Sequence, residues 1–143
     1  MLEWSKDLPL TSFELIMIDH VSIRVKDLKK SAAFYEKALG TIGYKKLGEF
    51  DGAVGFAVSC PDDNSGSVWL IQESKGDPLT QNIHVAFGVP DVEIVKKFYA
   101  AALAAGGRDN GAPGKCPEYG EHYYGAFVLD PDGNNIEATT RVD

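Results

Sequence analysis

Large hydrophobic side chains occupy every second position in two short stretches of the chain, Val21–Val25 and Val85–Val89. Strict alternation is typical of a β-strand with one buried face, because successive side chains of a strand point to opposite sides. Each stretch is followed by an aspartate, Asp27 or Asp91, and then by apolar residues at helical spacing. An aspartate in this place is a common helix N-cap. The pattern therefore predicts two strand–helix units of the same kind.

The two units align with each other residue by residue. His20 aligns with His84, an offset of 84 − 20 = 64. The same offset also aligns the following identical pairs: Val25 with Val89, Asp27 with Asp91, Phe34 with Phe98 and Tyr35 with Tyr99. Near the ends of the units, Ile71-Gln72 aligns with Ile136-Glu137 at an offset of 136 − 71 = 65. A run of identities at one offset indicates a duplicated module.

Shorter strands complete each module. They are predicted at 44–50, 53–59 and 67–73 in the first module, and at 123–129 and 135–140 in the second. The glycine- and proline-rich stretch at 109–120 is interpreted as a loop. The predicted fold class is therefore α+β, with two tandem βαβββ modules that form a curved sheet cup and carry their helices on its outer side.

The repeat also sets the predicted domain boundaries. A chain of 143 residues is long enough for one domain with its own core. We expect that single domain over 17–143, with module 1 at about 17–75 and module 2 at about 81–141. Residues 1–16 lie outside the repeat and are interpreted as an N-terminal extension, and Met17 is a natural start for the domain.

Side chains opposite the helices are expected to line the concave face of the sheet. In the first strand of each module, the alternating apolar residues are assigned to the helix side, which leaves the histidines facing the cup. In the last strand of module 1, Trp69 and Ile71 are assigned to the helix side and Gln72 to the cup. Phe127 is assigned to the core, which sends Tyr124 into the cup. The predicted polar residues of the concave face are His20, Arg24, Gln72, His84, Tyr124 and Glu137.

Two imidazoles and one carboxylate on this face form a candidate metal site. His20, His84 and Glu137 are the predicted ligands of a divalent transition metal such as Fe, Mn, Ni, Co or Zn. Gln72 is expected to supply a fourth, neutral oxygen or a supporting hydrogen bond. A ligand set without thiolates argues against a closed structural zinc site. The alternative is that these side chains are only hydrogen-bonded parts of the structure.

Glu137 and Tyr124 are the candidate catalytic residues, and Arg24 and His122 are candidate substrate-binding residues. Arg24 shares a strand face with His20, four residues away, and its guanidinium is suited to gripping a carboxylate or a phosphate. The alternative for Arg24 is a surface ion pair. His122 lies at a junction between loop and strand, where an imidazole can contact substrate.

Charge and cysteine content argue against several classes of partner. The formal net charge is −7 with no cluster of Lys or Arg, so we expect no binding to nucleic acid. No apolar run is long enough to span a membrane. Glu3, Lys6 and Asp7 interrupt the N-terminus where a signal peptide needs an apolar core. Cys60 and Cys116 are interpreted as reduced thiols of a cytoplasmic protein.

Three segments of the chain resemble a known family. IDHVSIRVKDL, NIHVAFGVPDV and FVLDPDGNNIEATT are similar to the module starts and the final strand of the glyoxalase / bleomycin-resistance / extradiol-dioxygenase superfamily, which has the vicinal oxygen chelate fold. The resemblance covers 17 to about 141. It implies that His20, His84 and Glu137 are metal ligands. Gln72 stands where glyoxalase I often has an acid, and Arg24 is similar to the glyoxalase I arginine that holds a glutathione carboxylate.

The resemblance implies three candidate functions. The first is a metal-dependent glyoxalase-type lyase or isomerase acting on a small anionic metabolite with vicinal oxygens. Arg24 favours this function, and Glu137 would be its base, because the Gln72 amide cannot accept a proton. The second is an Fe(II) extradiol-type dioxygenase, for which two histidines and one carboxylate are the usual ligands. The third is a non-enzymatic small-molecule (drug) binding protein of the bleomycin-resistance kind.

The resemblance also bears on the oligomeric state. Short chains of this superfamily often complete their cups by pairing modules across subunits. A homodimer with C2 symmetry is therefore expected, and a compact monomer that pairs its own two modules is the alternative.

Overall fold

The computed structural model describes residues 18–58 and 66–143. The predicted N-terminal extension, the domain start at Met17, the predicted strand end at position 59 and Cys60 lie outside the described residues. Among the residues that the structure describes, every helix is too short or too polar to cross a membrane.

The described residues form two βαβββ modules, as the repeat predicts. The elements are, in chain order, β1 (His20–Val25), α1 (Leu28–Gly40), β2 (Tyr44–Phe50), β3 (Ala53–Val58), β4 (Ser67–Gln72), β5 (His84–Gly88), α2 (Val92–Ala104), β6 (Arg108–Lys115), β7 (Tyr123–Leu129) and β8 (Asn135–Arg141). Each module has one long helix and one four-stranded sheet. The predicted α+β fold class is confirmed.

The two sheets have the same strand order, β1-β4-β3-β2 in the first module and β5-β8-β7-β6 in the second. In each sheet the first and last strands of the module pair in parallel, and the other pairs are antiparallel. Parallel strands need a crossover connection, and in each module the helix belongs to the stretch of chain that connects the two parallel strands. The helix covers one face of its sheet, and the opposite face carries the polar side chains of the first strand.

Aspartates begin both helices, as predicted. The carboxylates of Asp27 and Asp91 accept hydrogen bonds from the backbone N–H groups of Lys30 and Ile94, at 3.0 and 2.9 Å, as N-cap residues do. The two helices pack against their sheets and against each other. A single hydrophobic cluster includes buried residues from both modules. The modules therefore share one core.

A buried hydrogen bond also joins module 1 to module 2. The Tyr35 hydroxyl donates to Asp130 Oδ2 at 2.6 Å, and Asp130 Oδ1 accepts from the backbone N–H groups of Asp132 and Asn134. Burial, and then the negative charge of Asp130, raise the pKa of Tyr35, so its hydroxyl keeps the proton that it donates. Asp130 lies in the turn before β8, and the bond therefore supports the strand that carries Glu137.

We expect Gly107→Ala to destabilise the domain by about 1–3 kcal/mol, the usual cost of overpacking a core. A Cβ at this position would lie 2.5 Å from Val128 Cγ1, 2.7 Å from Phe34 Cε2 and 2.8 Å from the Ala102 carbonyl oxygen. Phe34 comes from α1 and the other two residues from module 2, so the added methyl group would push apart side chains that pack where the modules meet. Urea denaturation at equilibrium measures the change in the free energy of unfolding.

Gly40→Ala is the matched control, because Gly40 is the last residue of α1. A Cβ there would meet no heavy atom of the described residues within 4 Å. The variant should stay within about 0.5 kcal/mol of the wild type or gain stability. Equal free energies of unfolding for the two variants would contradict the role assigned to Gly107.

The loop predicted at 109–120 is wrong over about half of its length, because Arg108–Lys115 forms β6. This strand lies at the edge of its sheet and pairs with β7 through register shifts on both sides of Gly111. An edge strand tolerates proline and glycine, since one of its sides needs no partner. Gly111 also leaves room for an aromatic ring, because a Cβ there would lie 2.8 Å from Phe127 Cδ2.

Candidate metal centre

A histidine and a glutamate meet on the uncovered face of the second sheet. The parallel register pairs Ala86 with Glu137, and His84 lies two residues before Ala86, so both side chains leave the sheet on the same side. His84 Nε2 lies 2.6 Å from Glu137 Oε2. The Glu137 side chain is 1% exposed, whereas the His84 side chain is 46% exposed. The pair therefore combines a buried carboxylate with an imidazole that a ligand can reach.

A tyrosine holds the second oxygen of Glu137. The Tyr123 hydroxyl donates to Glu137 Oε1 at 2.5 Å. Burial, and then this hydrogen bond, raise the pKa of Tyr123, so the hydroxyl remains a donor. The guanidinium of Arg141 lies 4.4 Å from the centre of the Tyr123 ring, a cation–π distance that helps to fix the ring. Both carboxylate oxygens are therefore held by side chains of the same sheet.

Aromatic rings stand beside the His84–Glu137 pair. The centre of the Phe127 ring lies 6.0 Å from that of His84, and Tyr119 lies 6.2 Å from Phe127 and 5.3 Å from Tyr123. Apolar groups next to a polar site exclude water and strengthen the electrostatic interactions within it.

His20 is oriented by its neighbour in the chain. His20 Nδ1 lies 2.7 Å from Asp19 Oδ1. Since an ionised carboxylate only accepts hydrogen bonds, this contact places the proton on Nδ1 and leaves a lone pair on Nε2. Histidines that bind metals usually have such a partner on their other nitrogen. The geometry of His20 therefore suits a metal ligand.

The chain does not bring its three predicted ligands together. Among residues 18–58 and 66–143, no three His, Cys, Asp or Glu side chains come close enough to hold one metal ion. His84 and Glu137 are in contact, and His20 lies on the sheet of the other module.

The predicted position of Gln72 in the cup is wrong. Gln72 Oε1 accepts from the Leu28 backbone N–H at 3.0 Å, and its Nε2 donates to the Lys26 carbonyl oxygen at 2.9 Å. The amide therefore braces the start of α1 on the helix side of the sheet. Leu70, two residues earlier, is fully buried in the core. The two faces of β4 are thus the reverse of the predicted ones.

Trp69 occupies the position in module 1 that Glu137 occupies in module 2. The register pairs Ser22 with Trp69 in the first sheet and Ala86 with Glu137 in the second, and Ser22 aligns with Ala86 in the repeat. The structural offset near the module ends is therefore 137 − 69 = 68, and the offset of 65 is wrong. The indole lies over Gly55, where a Cβ would be 2.8 Å from the ring. Module 1 thus has an aromatic ring where module 2 has a carboxylate.

The predicted position of Tyr124 in the cup is also wrong. Tyr124 packs against the hydrophobic core, whereas Tyr123 points to the polar face of the sheet. The error follows from the assignment of Phe127 to the core. Ala126 and Val128 fill the core instead, and Phe127 stands beside the polar residues.

Arg24 and His122 each have a protein partner. Arg24 Nε lies 3.9 Å from Asp77 Oδ2, and both side chains are about half exposed. An ion pair this long and this exposed is weak, so an anionic ligand can compete for the guanidinium. His122 Nδ1 donates to the Val142 carbonyl oxygen at 2.8 Å. Because a carbonyl only accepts, this bond leaves Nε2 as the acceptor of a neutral ring.

Comparison with known proteins identifies the family. The family model described as Glyoxalase/Bleomycin resistance protein/Dioxygenase superfamily matches residues 17–138. The chain belongs to this superfamily. A Vibrio parahaemolyticus protein named "Probable lactoylglutathione lyase" is 34% identical over 127 aligned residues, and the match covers 82% of this chain and 86% of that protein.

Solved structures of the superfamily resemble the fold over most of its length. A crystal structure of a glyoxalase/bleomycin resistance protein from Albidiferax ferrireducens is 29% identical, with a TM-score of 0.73 and coverage of 88% of this chain and 99% of that one. A glyoxalase/bleomycin resistance protein/dioxygenase family enzyme from Burkholderia phytofirmans shares the fold at 21% identity, with a TM-score of 0.64 and coverage of 87% and 98%.

The donor atoms of His20, His84 and Glu137 are of the kinds that a divalent transition metal binds. A divalent transition metal accepts imidazole nitrogen and carboxylate oxygen. His84 Nε2 and Glu137 Oε2 bring one of each within 2.6 Å, where an ion would take the place of the proton between them. His20 offers Nε2. Asp19, Trp69 and Tyr123 were not predicted from the sequence to lie at the site. Asp19 could have been found from the sequence, because it is an acid next to a candidate ligand. The positions of Trp69 and Tyr123 depend on which face of the strand each side chain occupies, which the sequence alone does not fix.

Proposed function

We propose that this protein is a metal-dependent glyoxalase-type lyase or isomerase acting on a small anionic metabolite with vicinal oxygens. The contact between His84 Nε2 and Glu137 Oε2 on the uncovered sheet face carries this proposal. We further propose a homodimer with C2 symmetry, in which His20 of one copy completes the metal site formed by His84 and Glu137 of the other. Such an arrangement gives two identical sites per dimer.

The side chains of the site have separate tasks in this proposal. A divalent metal, when bound, supplies a Lewis acid that stabilises negative charge developing on substrate oxygens. Tyr123 holds Glu137 in place, and Phe127 provides an apolar surface beside His84. Glu137 is the candidate base, because it is the predicted site residue that carries a carboxylate on this face. Arg24 and His122 are the candidates for binding the remainder of the substrate.

The Vibrio parahaemolyticus relative suggests which substrate to test first. The compound in its name, lactoylglutathione, has vicinal oxygens in its lactoyl group, which suit a metal, and carboxylates in its glutathione group, which suit a guanidinium. The reaction that links it to methylglyoxal and glutathione can be followed in the direction that forms it. The test is to follow formation of lactoylglutathione from methylglyoxal and glutathione, with the metal-loaded protein and with the protein treated with a chelator. Turnover that is lost on chelation and restored by the metal supports the proposal.

One observation favours a second candidate, the Fe(II) extradiol-type dioxygenase. Trp69 stands where a further carboxylate would make four protein ligands, so the proposed site has two histidines and one carboxylate. That set is typical of non-haem Fe(II) enzymes that use oxygen. Elemental analysis of protein purified without added metal separates the functions. Iron favours the dioxygenase, nickel or zinc favours the lyase or isomerase, and a metal-free protein favours a binding protein of the bleomycin-resistance kind.

We expect Arg24→Ala to raise the KM or Kd for an anionic substrate roughly 10- to 150-fold, which corresponds to about 1.5–3 kcal/mol for hydrogen bonds to a charged group. The guanidinium lies on the polar face of β1 with His20, and its partner Asp77 is 3.9 Å away. Metal content should not change. Steady-state kinetics, or a titration with a substrate analogue, measures the effect.

Asp77→Asn is the matched control for Arg24→Ala. It removes the competing charge of the ion pair and leaves the guanidinium in place, so we expect KM to stay the same or to fall. A KM that is unchanged in Arg24→Ala, with a small loss of stability, would show that the arginine serves only its ion pair.

A further inference from the structure

The two carboxylate oxygens of Glu137 contact different side chains. Oε1 accepts from the Tyr123 hydroxyl at 2.5 Å, and Oε2 faces His84 Nε2 at 2.6 Å. The side chain is 1% exposed, so water does not compete for either oxygen. A buried acceptor that loses its partner costs more than the net value of the bond it made. The tyrosine therefore restrains the rotation of the carboxylate.

A glycine provides the space for this arrangement. Gly125 lies two residues after Tyr123, on the same face of β7. A Cβ at this position would lie 2.9 Å from Glu137 Oε1 and 3.3 Å from Tyr123 Cε1. Any side chain here would thus enter the contact between the hydroxyl and the carboxylate. The cross-strand partner Gly114 has room, since a Cβ there would come no nearer than 3.8 Å to its neighbour, the Ala112 carbonyl oxygen.

We propose that Tyr123 is a positioning residue for the metal ligand Glu137, and that Gly125 is required for it to act. The hydrogen bond occupies Oε1 and presents Oε2, the oxygen beside His84, to the metal. Without the hydroxyl, the carboxylate turns so that both oxygens compete for the imidazole and the ion. This inference rests on the proposed function, because it takes Glu137 as a ligand.

The test is Co(II) binding to the purified protein, followed by the visible spectrum of the bound ion and by titration. We expect Tyr123→Phe to weaken Co(II) binding by about 10- to 100-fold, the usual effect of removing a group that orients a ligand. The visible bands should also shift, because the coordination by the carboxylate changes. A residue with only a structural role would leave the spectrum of the bound ion unchanged.

Two controls keep the result specific. Tyr119→Phe removes a hydroxyl from the exposed ring 5.3 Å from Tyr123 and should bind Co(II) as the wild type does. Gly125→Ala should reproduce the effect of Tyr123→Phe, whereas Gly114→Ala should not. Thermal unfolding in the presence of a chelator confirms that each variant is folded before its spectrum is compared.

The outcomes separate this inference from the proposed function. If the wild type binds Co(II), His84→Ala abolishes binding and Tyr123→Phe matches the wild type in both Kd and spectrum, the positioning role is wrong and the metal site stands. If the wild type does not bind Co(II), or Glu137→Gln binds it unchanged, both the site and the positioning role are wrong.

Discussion

His84→Ala should abolish tight metal binding and leave the domain folded. A structural zinc site with four ligands contributes about 10–16 kcal/mol, so the loss of one ligand is worth about 3 kcal/mol, or at least roughly a hundredfold in Kd. The imidazole is 46% exposed on the uncovered face, and its removal leaves the shared core intact. Metal titration by calorimetry measures the affinity, and thermal unfolding in a chelator measures the fold.

His122→Ala is the matched control for His84→Ala. His122 Nδ1 donates to the Val142 carbonyl oxygen at the end of the second sheet, and its imidazole has no part in the proposed ligand set. This variant should bind metal as the wild type does. Full metal content in His84→Ala would show that the contact with Glu137 is an ordinary hydrogen bond and that the site is assigned to the wrong residues.

Mixed dimers of His20→Ala and His84→Ala chains should regain metal binding that neither variant has alone. If each site takes His20 from one copy and His84 with Glu137 from the other, a mixed dimer has one site with all its ligands and one site that lacks both histidines. Equal amounts of the two chains form mixed dimers in half of the cases, which restores about a quarter of the wild-type metal content. Co-expression with two different tags allows the mixed dimers to be isolated and analysed.

The control for the mixed dimers combines His84→Ala with Glu137→Gln. Both residues belong to module 2, so every site in such a dimer lacks one ligand and binding should not return. Sites formed within one chain predict no recovery in either mixture. Sedimentation of the wild type as a monomer at micromolar concentration would reject the dimer directly.

The sequence predicted the fold well because the first strand of each module has large apolar side chains on one face only. In β1, Val21, Ile23 and Val25 alternate with polar residues, so only one face of the strand can pack against the core. The structure buries that face. The N-cap aspartates and the repeat offset of 64 added independent support. His20 and His84 were therefore assigned to the correct faces from the sequence.

The faces of β4, the last strand of module 1, were predicted wrongly because both of them are apolar. In β4, Trp69 and Ile71 alternate with Val68 and Leu70, so hydrophobicity does not distinguish the core side. Which face of β4 packs against the core depends on Gly55 of the neighbouring strand, which leaves space for the Trp69 indole on the outer face.

The same difficulty affected β7. Tyr123 and Tyr124 are adjacent and chemically alike, and only the contact with Glu137 identifies the one on the polar face. Pairing across strands, which a single sequence does not reveal, decided these positions.

The exchange of a carboxylate for an indole at Trp69 affects the charge balance of the proposed site. A divalent ion bound by two neutral imidazoles and one carboxylate keeps one net positive charge, because 2 − 1 = 1. A second carboxylate at the position of Trp69 would cancel it. The protein as a whole carries −7 and repels anions at a distance. An anionic ligand would therefore be held by a short-range attraction inside a molecule that repels it from outside, and its affinity would depend on contact with the ion rather than on long-range steering.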